Sequence, residues 1–206
     1  MKLIIREYLS LLKESKELDR LLPDLLLMMG IVPISHAQVG VRQYGVDVAA
    51  VGEYKDEGNT LFLFTIKQGD LGRSDWDVNE QSIRQSLDEI KDVYLKSHIL
   101  PEHLVLKKKI VLCTGGNLKQ EIQQNWKGYI SKNTIEGEVE YEFWGGDKLA
   151  SFIEEFMFNE QILPIEFRSL FRKVLSLLSD PDYDLSDYFN ILNSLLFEYD
   201  FGDLSK

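Results

Sequence analysis

Residues 60–68 read Thr-Leu-Phe-Leu-Phe-Thr-Ile-Lys-Gln, a nearly unbroken apolar run. A run this short, rich in aromatic and β-branched residues, predicts a central strand buried on both faces. Such a strand needs helices on both sides of its sheet. Upstream, residues 45–54 carry the strand formers Val46, Val48 and Val51, and residues 55–59 (Lys-Asp-Glu-Gly-Asn) form a turn cluster. The two runs and the turn predict a hairpin.

The remaining pattern fits around that hairpin. Leu3, Ile4, Tyr8, Leu11 and Leu12 share a helical spacing, and a second apolar stretch over 18–29 ends at Gly30. Pro23 interrupts this second stretch and is expected to bend or restart its helix. Residues 31–39 are short and β-branched. Residues 77–98 place Ile83, Leu87, Ile90 and Tyr94 on one helical face. Residues 109–114 read as a buried strand, with Gly115 and Gly116 as a tight turn. Asn117 is expected to cap a helix over 118–130. Residues 139–144 alternate as a strand, and Asp147 is expected to cap the helix after it. Antiparallel strands followed by βα units predict an α/β fold, a mixed β-sheet flanked by helices.

Beyond Pro164 the pattern is helical throughout. Residues 159–206 hold nine acids and four bases, net −5, among many aromatic and leucine residues. That composition is too apolar for a disordered acidic arm. The expected division is a domain over 1–158 and an acidic helical extension over 159–206, which packs on the first domain, a second copy or a partner protein.

Composition bounds the function. One cysteine, Cys113, excludes an intrachain disulfide, and its apolar strand predicts an inert core thiol. No stretch resembles a membrane span, and charges at Arg6, Glu7, Lys13 and Glu14 break any leader-like segment, so a cytoplasmic protein is expected. The net charge of −11 opposes non-specific nucleic-acid binding. His36, His98 and His103 are scattered, and Gly115-Gly116-Asn117 lacks the lysine of a phosphate-binding loop.

Two charges stand out within apolar strands. Asp47 lies in the first strand of the hairpin and Lys67 near the end of the second. A hairpin can bring both to one end of the sheet. One reading is a structural salt bridge. The other is metal-assisted phosphodiester cleavage. There a carboxylate and a backbone carbonyl hold a hard cation, and the lysine orients water or steadies charge on the phosphate.

In this region the chain resembles the Mrr-like branch of the PD-(D/E)xK restriction-endonuclease superfamily. The resemblance runs over about residues 16–158. It rests on residues 18–31 (LDRLLPDLLLMMGI), Gly45-Val46-Asp47, Thr65-Ile66-Lys67, residues 109–114, and residues 144–150 (WGGDKLA). It implies a restriction-endonuclease-like sheet and a DNA endonuclease of restriction or phage defence, dependent on Mg²⁺ or Mn²⁺. It also implies roles. Asp47 and Asp19 would bind metal with the carbonyl of Ile66, and Lys67 would act on water and phosphate. DNA is the implied partner, and cutting both strands implies a homodimer.

Thr65 stands where the family has Glu, Asp or Gln, a departure from its pattern. A hydroxyl is a weaker metal ligand than a carboxylate. Asp19 or Asp70 can replace the missing acid, or the domain binds without cutting. Gln68 and Arg73 are expected near phosphate, and Gln81 and Gln85 lie on the following helix, at a place where related nucleases put polar residues. Lys107, Lys108 and Lys109 are expected to join Lys67 and Arg73 in a basic strip along the DNA.

Overall fold

The computed structural model describes residues 2–35, 44–54, 58–78, 82–158, 163–177, 180 and 182–198. The chain divides into two compact units, one over Lys2–Met157 and one dominated by Phe158–Lys206.

The larger unit is a five-stranded mixed sheet in the order β1-β2-β3-β4-β5. The strands are β1 (Val32–Ser35), β2 (Val48–Glu53), β3 (Asn59–Lys67), β4 (Lys107–Thr114) and β5 (Val139–Trp144). Strands β1, β2 and β3 pair antiparallel, and β3, β4 and β5 pair parallel. The expected hairpin is β2–β3, with Val48 opposite Phe64 and Glu53 opposite Asn59. Of its turn, residues 55–57 lie outside the described set. The edge strand β1 carries Pro33, tolerated where a ladder donor is not needed. Beside it, the Ser35 hydroxyl accepts the Ala49 N–H at 2.9 Å, across a local irregularity in the pairing.

Helices cover both faces, as the doubly apolar β3 requires. On one face α1 (Lys2–Leu11), α2 (Asp19–Met28) and α7 (Gly146–Phe152) pack over Phe62, Phe64, Ile66, Val111 and Trp144. On the other lie α3 (Arg73–Asp77), α4 (Ile83–Glu89) and α6 (Gln120–Asn133). They cover Leu61, Leu63, Ile110 and Leu112 with Trp76, Ile83, Leu87, Ile122 and Trp126. Alternation along β3 sends odd-numbered side chains to this second face and even-numbered ones to the first.

Several local expectations are corrected. The helix expected over 77–98 is two elements: α3 ends at Asp77, and α4 begins at Ile83 and runs on through Ile90–Tyr94 into α5 (Leu95–Ser97). Gly72 leads into α3, where the Asp75 carboxylate accepts its N–H at 2.8 Å. Asn117 does not cap α6. Its N–H is given to Asp70 Oδ1 at 2.9 Å, and Lys119 precedes the helix. Gly145 holds the N-cap position of α7, and Asp147 lies in its first turn, where it meets Arg6 of α1 at 2.7 Å. Pro23 sits inside α2 without ending it. The helical path breaks earlier, at Ser15 (ψ 133°) and Lys16 (φ 72°).

The smaller unit contains α8 (Ile165–Leu177) and α9 (Ser186–Asn193), the latter running on through Ser194–Glu198. Among its described residues Val174 and Ile191 are buried, and Lys173 pairs with Asp187 at 2.7 Å between the helices. No helix among the described residues is long and apolar enough to cross a membrane.

Candidate active site

The site is built where the hairpin begins and ends. Gly45 has φ +79°, and a Cβ there would lie 2.2 Å from the Ser86 carbonyl oxygen of α4. Only glycine fits this turn. It leads into Asp47, whose N–H is given to the Phe64 carbonyl at 2.8 Å. The Asp47 carboxylate then accepts the Ile66 N–H at 2.6 Å. Asp47 therefore extends the β2–β3 ladder by one step, with its side chain in the role of a backbone acceptor.

Ile66 is fully buried in the first core, so what it can offer a site is its main chain. Thr65 and Lys67 share the other parity. Thr65 is 1% exposed, and its hydroxyl has no hydrogen-bond partner. Lys67 is half-buried at the end of β3, beside Thr114 of β4.

The electrostatics join these residues to the segment between α1 and α2. Burial pushes the Asp47 carboxyl above the ordinary aspartate range. The Ile66 N–H and the Lys67 ammonium oppose the rise, and Asp19 adds to it. Burial likewise raises Glu14, where Lys67 opposes the shift and Asp47 and Asp19 reinforce it. Glu14, Asp19, Asp47 and Lys67 thus feel one another's charge. One carboxylate oxygen of Asp19, Oδ1, is buried without a hydrogen-bond partner. The Asp47 charge also helps burial to raise the Cys113 thiol on β4, in keeping with an inert core cysteine.

The sequence reading missed Glu14. On an unbroken helix, residues five apart point about 140° apart. Glu14 and Asp19 then show no common face. The break at Ser15 and Lys16 removes that helical relation. The available signal was a cluster of charges directly before an apolar helix.

The remaining candidates fall elsewhere. Asp70 is exposed and accepts the Asn117 N–H, so it fastens one loop to another. Gln68 is exposed just beyond Lys67. Arg73 is exposed at the start of α3, with its N–H given to Glu121 at 2.9 Å. Gln85 lines a groove of about 410 Å³ with Asp77, Arg84, Asp88, Glu89 and Asp92, an acid-rich surface. Gln81 lies outside the described residues.

The expected basic strip is corrected. Parallel register sets Lys107 opposite Thr60 and Thr114 opposite Lys67. Lys107 and Lys67 are thus at opposite ends of the sheet, seven residues and about 23 Å apart. Lys107 pairs with Glu140 at 2.8 Å, and Lys109 is 5% exposed. The Gly115-Gly116 turn is a packing device. The Gly116 N–H is given to the Thr114 hydroxyl at 3.2 Å, and the Thr114 hydroxyl is given to the Gly69 carbonyl at 2.6 Å.

A hard divalent cation suits this donor set: carboxylates, a carbonyl and a hydroxyl, all oxygen. The unpartnered oxygens of Asp19 and Thr65 and the effect of the Asp19 charge on Asp47 fit a missing positive charge. Among the described residues no three His, Cys, Asp or Glu side chains are grouped so that they could hold a metal ion. Mg²⁺ does not need three, because it is commonly held by one or two carboxylates with water and phosphate.

No protein-family model and no curated protein matches the chain. Among solved structures, the Moraxella osloensis Cap4 SAVED/CARF-domain containing receptor shows a weak likeness, with 14% sequence identity and a TM-score of 0.32. The match covers 96% of this chain and 46% of that one, so the chain spans about half the receptor's length. A likeness of this strength does not establish a shared fold.

Proposed function

We propose that the chain is a metal-dependent endonuclease that hydrolyses DNA phosphodiester bonds, in a restriction or phage-defence setting. The observation that carries this reading is the grouping of Asp47 and Asp19 with Lys67 at the end of the β2–β3 hairpin. The sequence resemblance to Mrr-like nucleases, spread over the same elements, supports it.

In this reading Asp47 and Asp19 hold Mg²⁺ or Mn²⁺ with the Ile66 carbonyl. When bound, the cation acidifies water and offsets charge on the phosphate. The Ile66 N–H fixes the Asp47 carboxylate. The Lys67 ammonium orients the attacking water and steadies the charge that gathers on the non-bridging oxygens. The water oxygen bonds to phosphorus, one ester P–O bond breaks, and the leaving oxygen takes a proton from solvent. The water's own proton passes to solvent. Cleavage of both strands calls for two sites, hence a homodimer.

The test incubates supercoiled plasmid with the chain and Mg²⁺ or Mn²⁺ at low salt, beside Asp47→Ala and Lys67→Ala. Nicking or linearisation by the wild type, lost by at least about 100-fold in both variants, is expected. Equal, metal-independent recovery of intact plasmid from all three would overturn the reading.

Thr65 favours a second reading, a domain that binds metal or a partner without cutting. A hydroxyl replaces a carboxylate at a fully buried position of the site. Specific Mn²⁺ binding, abolished by Asp47→Asn and accompanied by no cleavage of DNA or RNA, would select it.

A further inference from the structure

We propose that α9 presents a docking face for a cationic amphipathic helix of a partner protein. The face lies in the smaller unit and does not depend on the metal site.

The helical extension has more apolar surface than its own packing uses. An α-helix turns about 100° per residue. Along α9 and its continuation, Phe189, Leu192 and Leu196 therefore point within about 60° of one another, with Leu185 just ahead of the first turn on the same line. α9 packs on α8, yet the residue of α9 that is buried is Ile191, on the neighbouring face. The stripe itself stays open to solvent. Phe189 is 55% exposed and Leu196 is 70% exposed, while Leu185 is exposed and Leu192 half-buried. A single exposed leucine needs no explanation. Four apolar side chains at spacings of four, three and four form the kind of face by which one helix docks on another.

Charge selects the occupant. From Val174 to Ser205 the chain carries seven acids and no Lys, Arg or His. Asp180, Asp182 and Asp184 are exposed in the segment that leads into the stripe. Asp187 differs, because its carboxylate is taken up by Lys173 of α8. Residues 1–158 carry a further net charge of −6, so a second copy would bring like charge against the face. A helix with leucine-like side chains at the matching spacing and Lys or Arg beside them buries the stripe and offsets the aspartates together. Such a partner is steered by the field of the acidic chain and held by apolar burial.

The test uses the full chain and two synthetic helical peptides that share one leucine stripe. One peptide has lysine at its polar positions, and its twin has glutamate. Binding is read by calorimetry at about 50 mM and about 300 mM salt. The lysine peptide is expected to bind the wild type at least about tenfold more tightly than its twin, and to weaken at the higher salt. The double variant Phe189→Gln/Leu196→Gln leaves the charge unchanged and keeps good helix formers, and circular dichroism checks its fold. It is expected to lose about tenfold or more in affinity for the lysine peptide. Leu196→Gln alone is expected to lose about threefold or more. Val105→Gln, at an exposed apolar residue of the larger unit, binds as the wild type does. Equal binding of the lysine peptide to the wild type and both stripe variants would reveal only general attraction to an acidic chain and overturn the docking face. No binding of the lysine peptide, or equal binding of the twins, would overturn the cationic partner. So would sedimentation of the wild type as a dimer that the double variant dissociates, because a second copy would then cover the stripe.

Discussion

At the scale of single residues, the site trades stability for readiness. Burial raises the Asp47 carboxyl, and the nearby Asp19 adds to the rise. The folded chain therefore holds a proton there at a pH where the unfolded chain has released it. Between the two pKa values the folded state binds more protons, so this group's contribution to stability falls as pH rises through the window. The window opens near about pH 4, the ordinary aspartate value, and extends to the raised value. Asp47→Asn removes the charge yet retains an oxygen that can accept the Ile66 N–H. The variant is expected to melt above the wild type at neutral pH without metal. The gap should close as pH falls toward about 4, as read by thermal unfolding in chelator across that range. Mn²⁺ at about ten times its Kd should stabilise the wild type by about 1.4 kcal/mol and leave the variant unmoved. Asp47 and Lys67 were legible in the sequence because charged residues stand out in apolar strands. Glu14 was not, because a backbone break, rather than a periodic pattern, sets its position.

At the scale of elements, close backbone approaches hold the site. A Cβ on Gly115 would lie 2.0 Å from the Leu9 carbonyl oxygen of α1, so that glycine lets α1 dock against the end of β4. Gly115→Ala should cost about 2 kcal/mol or more in urea unfolding, because the added Cβ meets the α1 backbone. Gly45→Ala meets both a left-handed φ and the Ser86 carbonyl. A comparable or larger loss of stability is expected by the same measurement. The hairpin, the buried β4 and the alternating β5 were legible from hydrophobic pattern alone. Caps were less so. Asn117 and Asp147 look like N-caps locally, but a distant carboxylate takes the Asn117 N–H and a distant arginine pairs with the Asp147 side chain. The helix expected over 77–98 joined two elements because Asp77 lies just ahead of a strong apolar period.

At the scale of the whole molecule, charge is the main difficulty for a DNA enzyme. Residues 1–158 keep a net charge of −6, so the acidic extension does not account for all of it. The lysines of β4 cannot relieve it at the site, because they lie at the far end of the sheet, and Lys107 pairs with Glu140. Lys107→Ala is therefore expected to change plasmid cleavage by less than about twofold, whereas Lys67→Ala abolishes it; an equal loss in both would revive the strip. Both core clusters of the larger unit are drawn from residues up to Met157. The measurement that bears most directly on the central claim is anomalous diffraction from crystals of the chain soaked in Mn²⁺. The predicted result is a manganese peak within ligand distance of Asp47 and Asp19 oxygens, beside Lys67. A peak only in the acidic groove of Asp77, Asp88 and Asp92, with none at Asp47, would contradict it.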